Sequence, residues 1–385
     1  MRLVHMADTH LGFKRYQRQT ASGENQREAD VALAFVRAID QTIALAPDVV
    51  IIAGDVFHQP RPSNPSIVHA VTQLRRLTAA LPDAIVVMLA GNHDLSRTSE
   101  TCILRVFAQM GVHVVDRAVE RLRFPARELA ILCVPEVDAL AAPLAPDPTA
   151  RVNVLAIHGE VRGLIKGSRA PLVYDADTLA APAWDYVALG YYHDFTQVAP
   201  RAFYSGAIDF TTSDTWHEAP AKGLIEYDLE AHTHTFHTLP ASRPHVDLPP
   251  LDGASLSVAE LNERIAAAVA LIGGVDDKVV RLVIRNLEPT IRRDLDQKLI
   301  RDCKARATNF TLETRAPEHT RVDTGSLGSA RWAAAPLREL LQKELKDRPP
   351  LDDVEPEALV ALGLAYLDRT EDASIRVTSP TSQAA

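Results

Sequence analysis

Short apolar runs alternate with amphipathic stretches through the first half of the chain. The apolar runs, rich in Val, Ile and Leu, are residues 3–6, 48–53, 84–90, 129–134, 152–157 and 186–189. Between the first three of these runs, apolar residues recur at helical intervals, over residues 32–45 and 66–81. The short runs predict buried strands and the helical spacing predicts amphipathic helices. The alternation therefore indicates an α/β fold whose strands are covered on both faces.

A polar residue able to bind a metal ion follows each of the strongest strand signals. These residues are Asp8, Asp55, Asn92, His158 and His193. In open α/β sheets, sites collect at the carboxyl ends of strands, where loops from separate elements converge. The sequence therefore predicts one site formed by these strand ends.

The residue types at these strand ends are those of a metal centre. In an extended segment Asp8 and His10 would lie on one face, and Gly54 would allow close backbone approach beside Asp55. Imidazole and carboxylate together suit manganese, iron or zinc better than the oxygen shells of magnesium and calcium. Two such cations, about 3.5–4 Å apart, would clamp a phosphate for in-line attack by water.

The G-N-H-D segment at residues 91–94 predicts a catalytic histidine. His93 is placed to donate a proton or hydrogen bond to the departing oxygen, and Asp94 is expected to orient its ring. Each motif alone also fits a surface turn, because Gly and Asn tolerate left-handed backbone angles. Five motifs in this order, each behind a strand, favour the metal site over a set of turns.

The motif series resembles that of the calcineurin-like metallophosphoesterases. Further segments resemble the SbcD-like DNA-repair nucleases: HMADTHLG at 5–12, GDVFHQPRPS at 54–63, YSG at 204–206 and KG at 222–223. This resemblance covers roughly residues 1–240 well. It implies a sandwich of two mixed β-sheets flanked by helices, followed by a small α/β capping domain and C-terminal helices.

The resemblance also implies a role for each site residue. One metal ion would be held by Asp8, His10, Asp55 and His193, and the other by Asp55, Asn92 and His158. His93 would be the catalytic histidine and His58 would contact the scissile phosphate. Two divalent ions are expected, with manganese as the first choice.

The chain departs from the family pattern at Tyr191. The family has G-H-x-H in its last motif, and here the first of the two histidines is a tyrosine. A neutral phenol is a poor metal ligand, because its pKa near 10 leaves little phenolate. We therefore expect the second metal ion to bind more weakly or to be of a different kind, unless Tyr191 marks a divergent subgroup with full activity.

The chain is expected to contain four segments. We predict a nuclease domain over 1–245, a capping domain over 250–325, a helical segment over 330–370 and a disordered tail over 371–385. The capping domain should have helices at 258–272 and 289–304 and strands at 278–285 and 308–314. The resemblance implies that the helical segment docks on the coiled-coil base of an SMC-like ATPase, and that the protein is a homodimer.

Two basic groups are candidate DNA contacts. Lys14, Arg15 and Tyr16 follow the first metal motif, and a basic run with an aromatic residue can hold a phosphate backbone and stack bases. Arg292 and Arg293 lie in the predicted capping domain. Either group could equally be a solvated charged surface.

Composition narrows the class of protein less than the motifs do. Many nucleic-acid binders are positively charged, whereas this chain has a net charge of −9. Carboxylates around two cations would contribute to that negative charge. Cys102, Cys133 and Cys303 are scattered and odd in number, which argues against a disulfide framework and for a reducing compartment. No apolar run has the length of a membrane span or of a signal peptide, so we expect a cytoplasmic protein.

The function expected from the sequence is metal-dependent cleavage of DNA, as an exonuclease or endonuclease, in the processing and repair of DNA ends. Two alternatives remain open. One is a phosphodiesterase or phosphatase for small substrates, and the other is a catalytically weak scaffold that binds DNA ends.

Overall fold

The computed structural model describes residues 1–96, 101–136, 139–164, 172–180, 183–317, 357–358 and 360–365. Strands β1 to β18 are, in chain order, Arg2–Met6, Val49–Ala53, Ile85–Leu89, His113–Val115, Glu120–Phe124, Leu129–Val134, Val152–His158, Glu160–Val161, Val173–Tyr174, Tyr186–Gly190, Thr196–Ala199, Ala202–Tyr204, Lys222–Asp228, Thr233–Leu239, His245–Asp247, Leu251–Asp252, Val279–Arg285 and Asn309–Thr314. Helices α1 to α6 are Gln26–Leu45, Asn64–Ala80, Ala176–Leu179, Val258–Leu271, Pro289–Asp294 and Gln297–Arg306. Short 3-10 helices occur at Ile103–Met110, Pro125–Arg127 and Thr215–His217.

Two six-stranded mixed sheets form the larger part of the fold. The first has the order β14-β13-β1-β2-β3-β4 and the second has the order β11-β12-β10-β7-β6-β5. In the first sheet β1, β2 and β3 run parallel, and in the second β7 and β10 run parallel. The carboxyl ends of these five strands carry the predicted metal ligands. The predicted two-sheet sandwich with flanking helices is therefore confirmed.

Alternation along the strands distributes the side chains between two layers of core. On β1 and β2, Leu3 and Ile51 face the second sheet, where they pack in one cluster with residues such as Val154. Val4 and Ile52 face the opposite way, into the cluster that α1 and α2 cover. Because both faces of the sheet are buried, the strands are continuous apolar runs instead of alternating ones.

Helix α1 begins earlier than the apolar periodicity predicts. The predicted start was residue 32, and the helix starts at Gln26, capped by the side chain of Asn25. The first turns bury Arg27, Glu28 and Asp30 instead of apolar residues. Sequence periodicity missed this turn because buried polar residues that pair within the fold carry no apolar signal.

A third, smaller sheet has its own hydrophobic core. Strand β17 is its centre, with β18 along one edge and β15 and β16 along the other. Helices α4 and α6 contribute Leu261 and Ile300 to the core of this sheet. The single helix predicted over 289–304 was wrong, because Asp296 caps a new helix by accepting hydrogen bonds from the backbone N–H groups of Lys298 and Leu299.

Residues 1–317 form one compact unit, in which the small sheet and the sandwich are joined by charged contacts. Arg243 donates to both carboxylate oxygens of Asp30 on α1, at 2.9 and 3.1 Å. The predicted boundary between 245 and 250 stays a prediction. In the second unit, residues 318–385, the described residues 357–358 and 360–365 are helical. The rest of the predicted segment over 330–370, and the tail over 371–385, lie outside the described residues.

Two further expectations concern the chain as a whole. Cys102, Cys133 and Cys303 are buried and unpaired, as their number and spacing predicted. Within the described part of the chain, no helix combines the length and the apolar character that a membrane span requires.

Candidate metal centre

The predicted ligands meet at one end of the sandwich. Asp8, Asp55 and Asn92 follow strands β1, β2 and β3, while His158 ends β7 and His193 follows β10. Because Gly190 of β10 is paired with His158 of β7, the two strands of the second sheet deliver their residues side by side. Loops from five strands thus supply one site, as the sequence predicted.

Asp8 and His10 reach the site through a left-handed backbone. Their φ angles are 52° and 44°, and that of Asp55 is 50°. Such conformations cost roughly 1–3 kcal/mol each for non-glycine residues and collect at functional sites. The expectation that an extended segment aligns Asp8 with His10 was wrong, since β1 ends at Met6 and the turn beyond it brings the two side chains together.

The His10 subsite consists of Asp8, His10, Asp55 and His193. The Nε2 atoms of His10 and His193 face each other at 3.1 Å. His10 Nε2 also lies 3.7 Å from Asp55 Oδ2. The other ring nitrogen of His193, Nδ1, lies 3.3 Å from the hydroxyl of Thr211. That contact leaves Nε2 available to a metal ion.

The His158 subsite consists of Asp55, Asn92 and His158. His158 Nε2 lies 3.5 Å from Asp55 Oδ2 and 3.2 Å from Asn92 Oδ1. His158 Nδ1 donates to the carbonyl of Ala53 at 2.8 Å, which fixes the ring and frees Nε2 as a ligand. Asp55 therefore stands between the two subsites and is placed to bridge them.

The Asp8 carboxylate is within ligand range of both subsites. Ligand atoms of Asp8, His10 and His193 lie within 4.8 Å of one another, and so do those of Asp8, Asp55 and His158. The two oxygens of Asp8 accept from the backbone N–H of Tyr191, each at 3.1 Å. Asp8 thus connects the first strand of one sheet to the loop after β10 of the other.

Glycine is required where the strands of the centre approach each other. A Cβ on Gly54 would lie 2.2 Å from His158 Nδ1, and the residue has φ +94°. A Cβ on Gly91 would lie 2.2 Å from Asp55 Oδ1. The prediction of close backbone approach at Gly54 is confirmed, and the neighbour concerned is the ring of His158.

Burial and mutual charge shift the pKa values of the cluster in opposite directions. Burial, with the nearby Asp55, raises the pKa of Asp8. Burial opposes ionisation of Asp55, but the neighbouring imidazoles, His158 first, together outweigh it and lower the pKa of that carboxyl. For His158, burial alone would lower the pKa, and the carboxylates of Asp55 and Asp8 raise it instead. The cluster therefore stabilises added positive charge beside Asp55.

The two remaining imidazoles are held neutral. Burial, followed by the charge of Lys222, lowers the pKa of His193 to about 3. Burial lowers the pKa of His10 as well. Neutral imidazole is the form that binds metal ions.

This geometry fits divalent metal ions. Two nitrogens bound at about 2.1 Å to one ion lie roughly 3 Å apart, which matches the facing Nε2 atoms of His10 and His193. With both rings protonated at Nδ1, their Nε2 lone pairs would point at each other, and a cation between them would accept both. The donors also match manganese, iron or zinc better than calcium.

His93 and His58 line the open side of the centre. Their rings stack with centroids 5.1 Å apart, and His93 Nδ1 donates to the carbonyl of His58 at 2.9 Å. Asp94 does not orient the His93 ring, contrary to expectation. Its buried carboxylate is occupied by the backbone N–H groups of Val56, Phe57 and Gly91, at 2.8–3.1 Å. Asp94 therefore ties the loops after β2 and β3 together.

Tyr191 lies beside the His158 subsite. Its ring centroid is 5.7 Å from that of His158, in an edge-on arrangement. Tyr191 also has a φ of 113° and packs at the edge of the apolar cluster behind the second sheet. A phenol therefore lies next to the His158 subsite, whereas the His10 subsite has a second imidazole.

Of the basic residues predicted to contact DNA, Lys14 and Arg15 have partners within the fold. Lys14 pairs with Glu28 at 3.1 Å, and Arg15 donates to the carbonyl of Thr212 at 2.6 Å. The Arg15 guanidinium also lies over the ring of Tyr16, at 5.1 Å. Arg292 and Arg293 are exposed on α5 of the small sheet. Their contacts with DNA stay a prediction.

A cleft of about 500 Å³ opens onto the cluster. Its lining combines four histidines with residues of two loops: His10, Phe13, Lys14, Arg15, His58, His93, His193, Thr211, Thr212 and Ser213. Sequence reasoning did not identify the loop of Thr211 to Ser213, because it carries no ligand motif. Its hydrogen bond to His193 and its place in the lining of the cleft show that it belongs to the site.

Comparison with known proteins agrees with this geometry. Residues 1–162 match the model of the calcineurin-like phosphoesterase family. The DNA double-strand break repair protein Mre11 of Methanopyrus kandleri is 28% identical over 217 residues, which are 50% of this chain and 44% of the relative. The protein of the same name from Methanococcus maripaludis is 34% identical over 100 residues, or 26% of this chain and 25% of the relative. The matched regions thus span less than half of each relative.

A solved nuclease structure shows a weak likeness to the chain. Nuclease MPE of Pseudomonas putida aligns with 40% of this chain and 58% of its own, at 19% identity and a TM-score of 0.21. A similarity this weak supports no conclusion about the fold or the function.

Proposed function

Since residues 1–162 carry a calcineurin-like phosphoesterase domain, we propose that the protein is a metal-dependent nuclease that hydrolyses phosphodiester bonds in DNA. The observation that carries this proposal is the placement of Asp55 between two sets of facing ligands. His10 Nε2 and His158 Nε2 lie 3.7 and 3.5 Å from the same oxygen of Asp55. A carboxylate shared in this way supports a centre of two metal ions, with manganese as the first choice.

The residues divide the chemistry among themselves. The ions, when bound by the His10 and His158 subsites, would polarise the phosphoryl group and activate water. His93 would act on the leaving oxygen from Nε2, because its Nδ1 is already committed to the carbonyl of His58. Since His58 stacks on His93 and lines the same cleft, it would bind an oxygen of the scissile phosphate.

DNA is the proposed substrate for two reasons. The relatives that align with this chain are named as DNA double-strand break repair proteins. The cleft is also edged by Lys14 and Arg15, which suits a polyanionic chain better than a small ester. Whether cleavage proceeds from an end or within the strand is part of the test below.

Two partners belong to the proposal. The motif resemblance suggests an SMC-like ATPase, which would bind the segment over 330–370. It also suggests a homodimer, and the exposed Leu33 on α1 and Val68 on α2 provide apolar surface for self-association. Sedimentation of the full chain, alone and with Leu33 and Val68 changed to Glu, would test the dimer, which should dissociate in the double variant.

The activity is tested with end-labelled and circular DNA, beside bis-p-nitrophenyl phosphate, with manganese and with a chelator. We expect manganese-dependent cleavage of DNA that the chelator abolishes. Cleavage of the small ester alone would favour a small-substrate phosphodiesterase. Turnover of neither, with DNA still bound, would favour the scaffold.

The His93→Gln variant sharpens this test. It should lose cleavage by roughly 10²-fold or more, since proton transfer contributes on that order. DNA affinity and metal content should stay as in the wild type, because His93 belongs to neither proposed subsite. A variant with unchanged cleavage would remove His93 from the mechanism.

A further inference from the structure

Lys222 is a buried cation directly behind the metal centre. Its side chain is 2% exposed, although it begins strand β13. A buried ammonium group is costly unless it is paired and hydrogen-bonded. Lys222 Nζ lies 2.6 Å from Glu218 Oε2 and 3.2 Å from Asp194 Oδ1, and it donates to the carbonyl of His193 at 2.9 Å. One ammonium group thus holds three separate groups.

Two of these groups hold the main chain of His193. The His193 carbonyl accepts directly from Lys222, and Asp194 is the next residue along the chain. The Asp194 carboxylate also accepts from the backbone N–H of Ala219, at 2.8 Å. The strand end that carries His193 is therefore fastened to the loop between β12 and β13.

The third group reaches the His193 ring by a longer route. Glu218 accepts from the backbone N–H of Thr212 at 3.3 Å, and also from the Thr212 hydroxyl. The neighbouring Thr211 places its hydroxyl 3.3 Å from His193 Nδ1. Lys222 thus contacts the main chain of His193 directly and is connected to its ring indirectly, through Glu218.

We propose that Lys222 is a positioning residue that sets the place and orientation of His193 as a metal ligand. This inference rests on the proposed function, in which His193 binds one of two ions. Groups around a site must hold a ligand to within about 0.5 Å, and outer partners of ligands change metal affinity by about 10- to 100-fold. The clasp of Lys222, Asp194 and Glu218 satisfies that requirement from behind the centre.

A purely structural role makes a different prediction. Arg243 provides the matched control, because it is also a mostly buried cation held by two carboxylates and a carbonyl. It pairs with Asp30 at 2.9 Å and Asp277 at 3.5 Å, and it donates to the carbonyl of Asp277 at 2.7 Å. It lies in the same compact unit and contacts none of the proposed ligands. Loss of either cation should destabilise the fold, but only loss of Lys222 should move the metal affinity.

The experiment is calorimetric titration of the full, metal-free chain with MnCl₂. The variants His193→Gln and His158→Gln assign the two binding steps to the two subsites. Lys222→Met should weaken the step of the His10 subsite by at least about tenfold and leave the other step within about threefold. Lys222→Arg, which keeps the charge and the donors, should recover most of the affinity. Arg243→Met should bind manganese as the wild type does.

Each other outcome has a definite meaning. Unchanged affinity in Lys222→Met, or an equal loss in Arg243→Met, would overturn the inference. Because Lys222→Met leaves two carboxylates without their cation, the double variant Lys222→Met with Glu218→Gln removes one of these two charges and should show the same selective loss. If neither variant gives the far-ultraviolet circular dichroism of a folded chain, the role of Lys222 is structural and the inference fails. A wild type that binds no manganese would instead overturn the proposed function.

Discussion

The two subsites of the centre share the Asp55 carboxylate but differ in the number of their ligands and in how those ligands are held. The His10 subsite has four candidate ligands, and its His193 is held by Thr211 and by the clasp at Lys222. The His158 subsite has three, of which Asn92 is exposed, and its neighbour Tyr191 is a phenol. We therefore expect the metal affinity of each subsite to depend on the number of its ligands and on the groups that hold each ligand. We expect the His10 subsite to bind its ion first and more tightly.

Removal of the shared carboxylate should have the largest effect. Asp55→Asn takes a charged ligand from both subsites at once, so binding of both ions should weaken and DNA cleavage should fall by roughly 10²–10³-fold or more. Manganese titration and cleavage of end-labelled DNA measure the two effects. A variant that lost only one binding step would show that Asp55 does not bridge.

Removal of one imidazole from each side should separate the subsites. His193→Gln should lower the manganese affinity of the tighter step by about 10²-fold and leave the weaker step unchanged. His158→Gln should have the reverse effect. The physical reason is that each Nε2 belongs to one subsite. Calorimetry on the two variants, compared with His69→Gln on helix α2 as a remote control, measures this. Identical losses in both variants would contradict the division.

An added imidazole should reduce the difference between the subsites. Tyr191→His places a good nitrogen donor beside the His158 subsite, where the phenol is a poor one. If the new ligand contributes about 2 kcal/mol, the weaker dissociation constant should fall about 30-fold. Tyr191→Phe is the matched control and should leave that constant unchanged. A large loss of affinity in Tyr191→Phe would show that the phenol itself binds the ion.

Removal of the hydroxyl behind His193 should have the smallest effect. Thr211→Val keeps the side-chain shape and removes the partner of His193 Nδ1, so the ring is no longer fixed in one orientation. The affinity of the His10 subsite should fall about tenfold, and that of the His158 subsite should not change. Ser213→Ala changes an exposed side chain of the same loop and tests whether any loss belongs to the loop in general.

The sequence alone predicted the architecture of the sandwich and the candidate ligands. Strands that are buried on both faces are continuous apolar runs. Asp55 comes shortly after one such run, and His158 ends another. The motif order therefore predicted both which residues meet and at which end of the sheets. These features are local in the chain, so a pattern of residue types is enough to find them.

Only the tertiary structure decided how the ligands are held. The left-handed turn that joins Asp8 to His10, the true partners of Asp94, and the clasp at Lys222 all depend on contacts between distant segments. The sequence does not show whether a lysine is buried or solvated, and apolar periodicity does not show which carboxylate neutralises it. The pairing of buried charges is set by the packing of the whole unit, which is why it had to be seen in three dimensions.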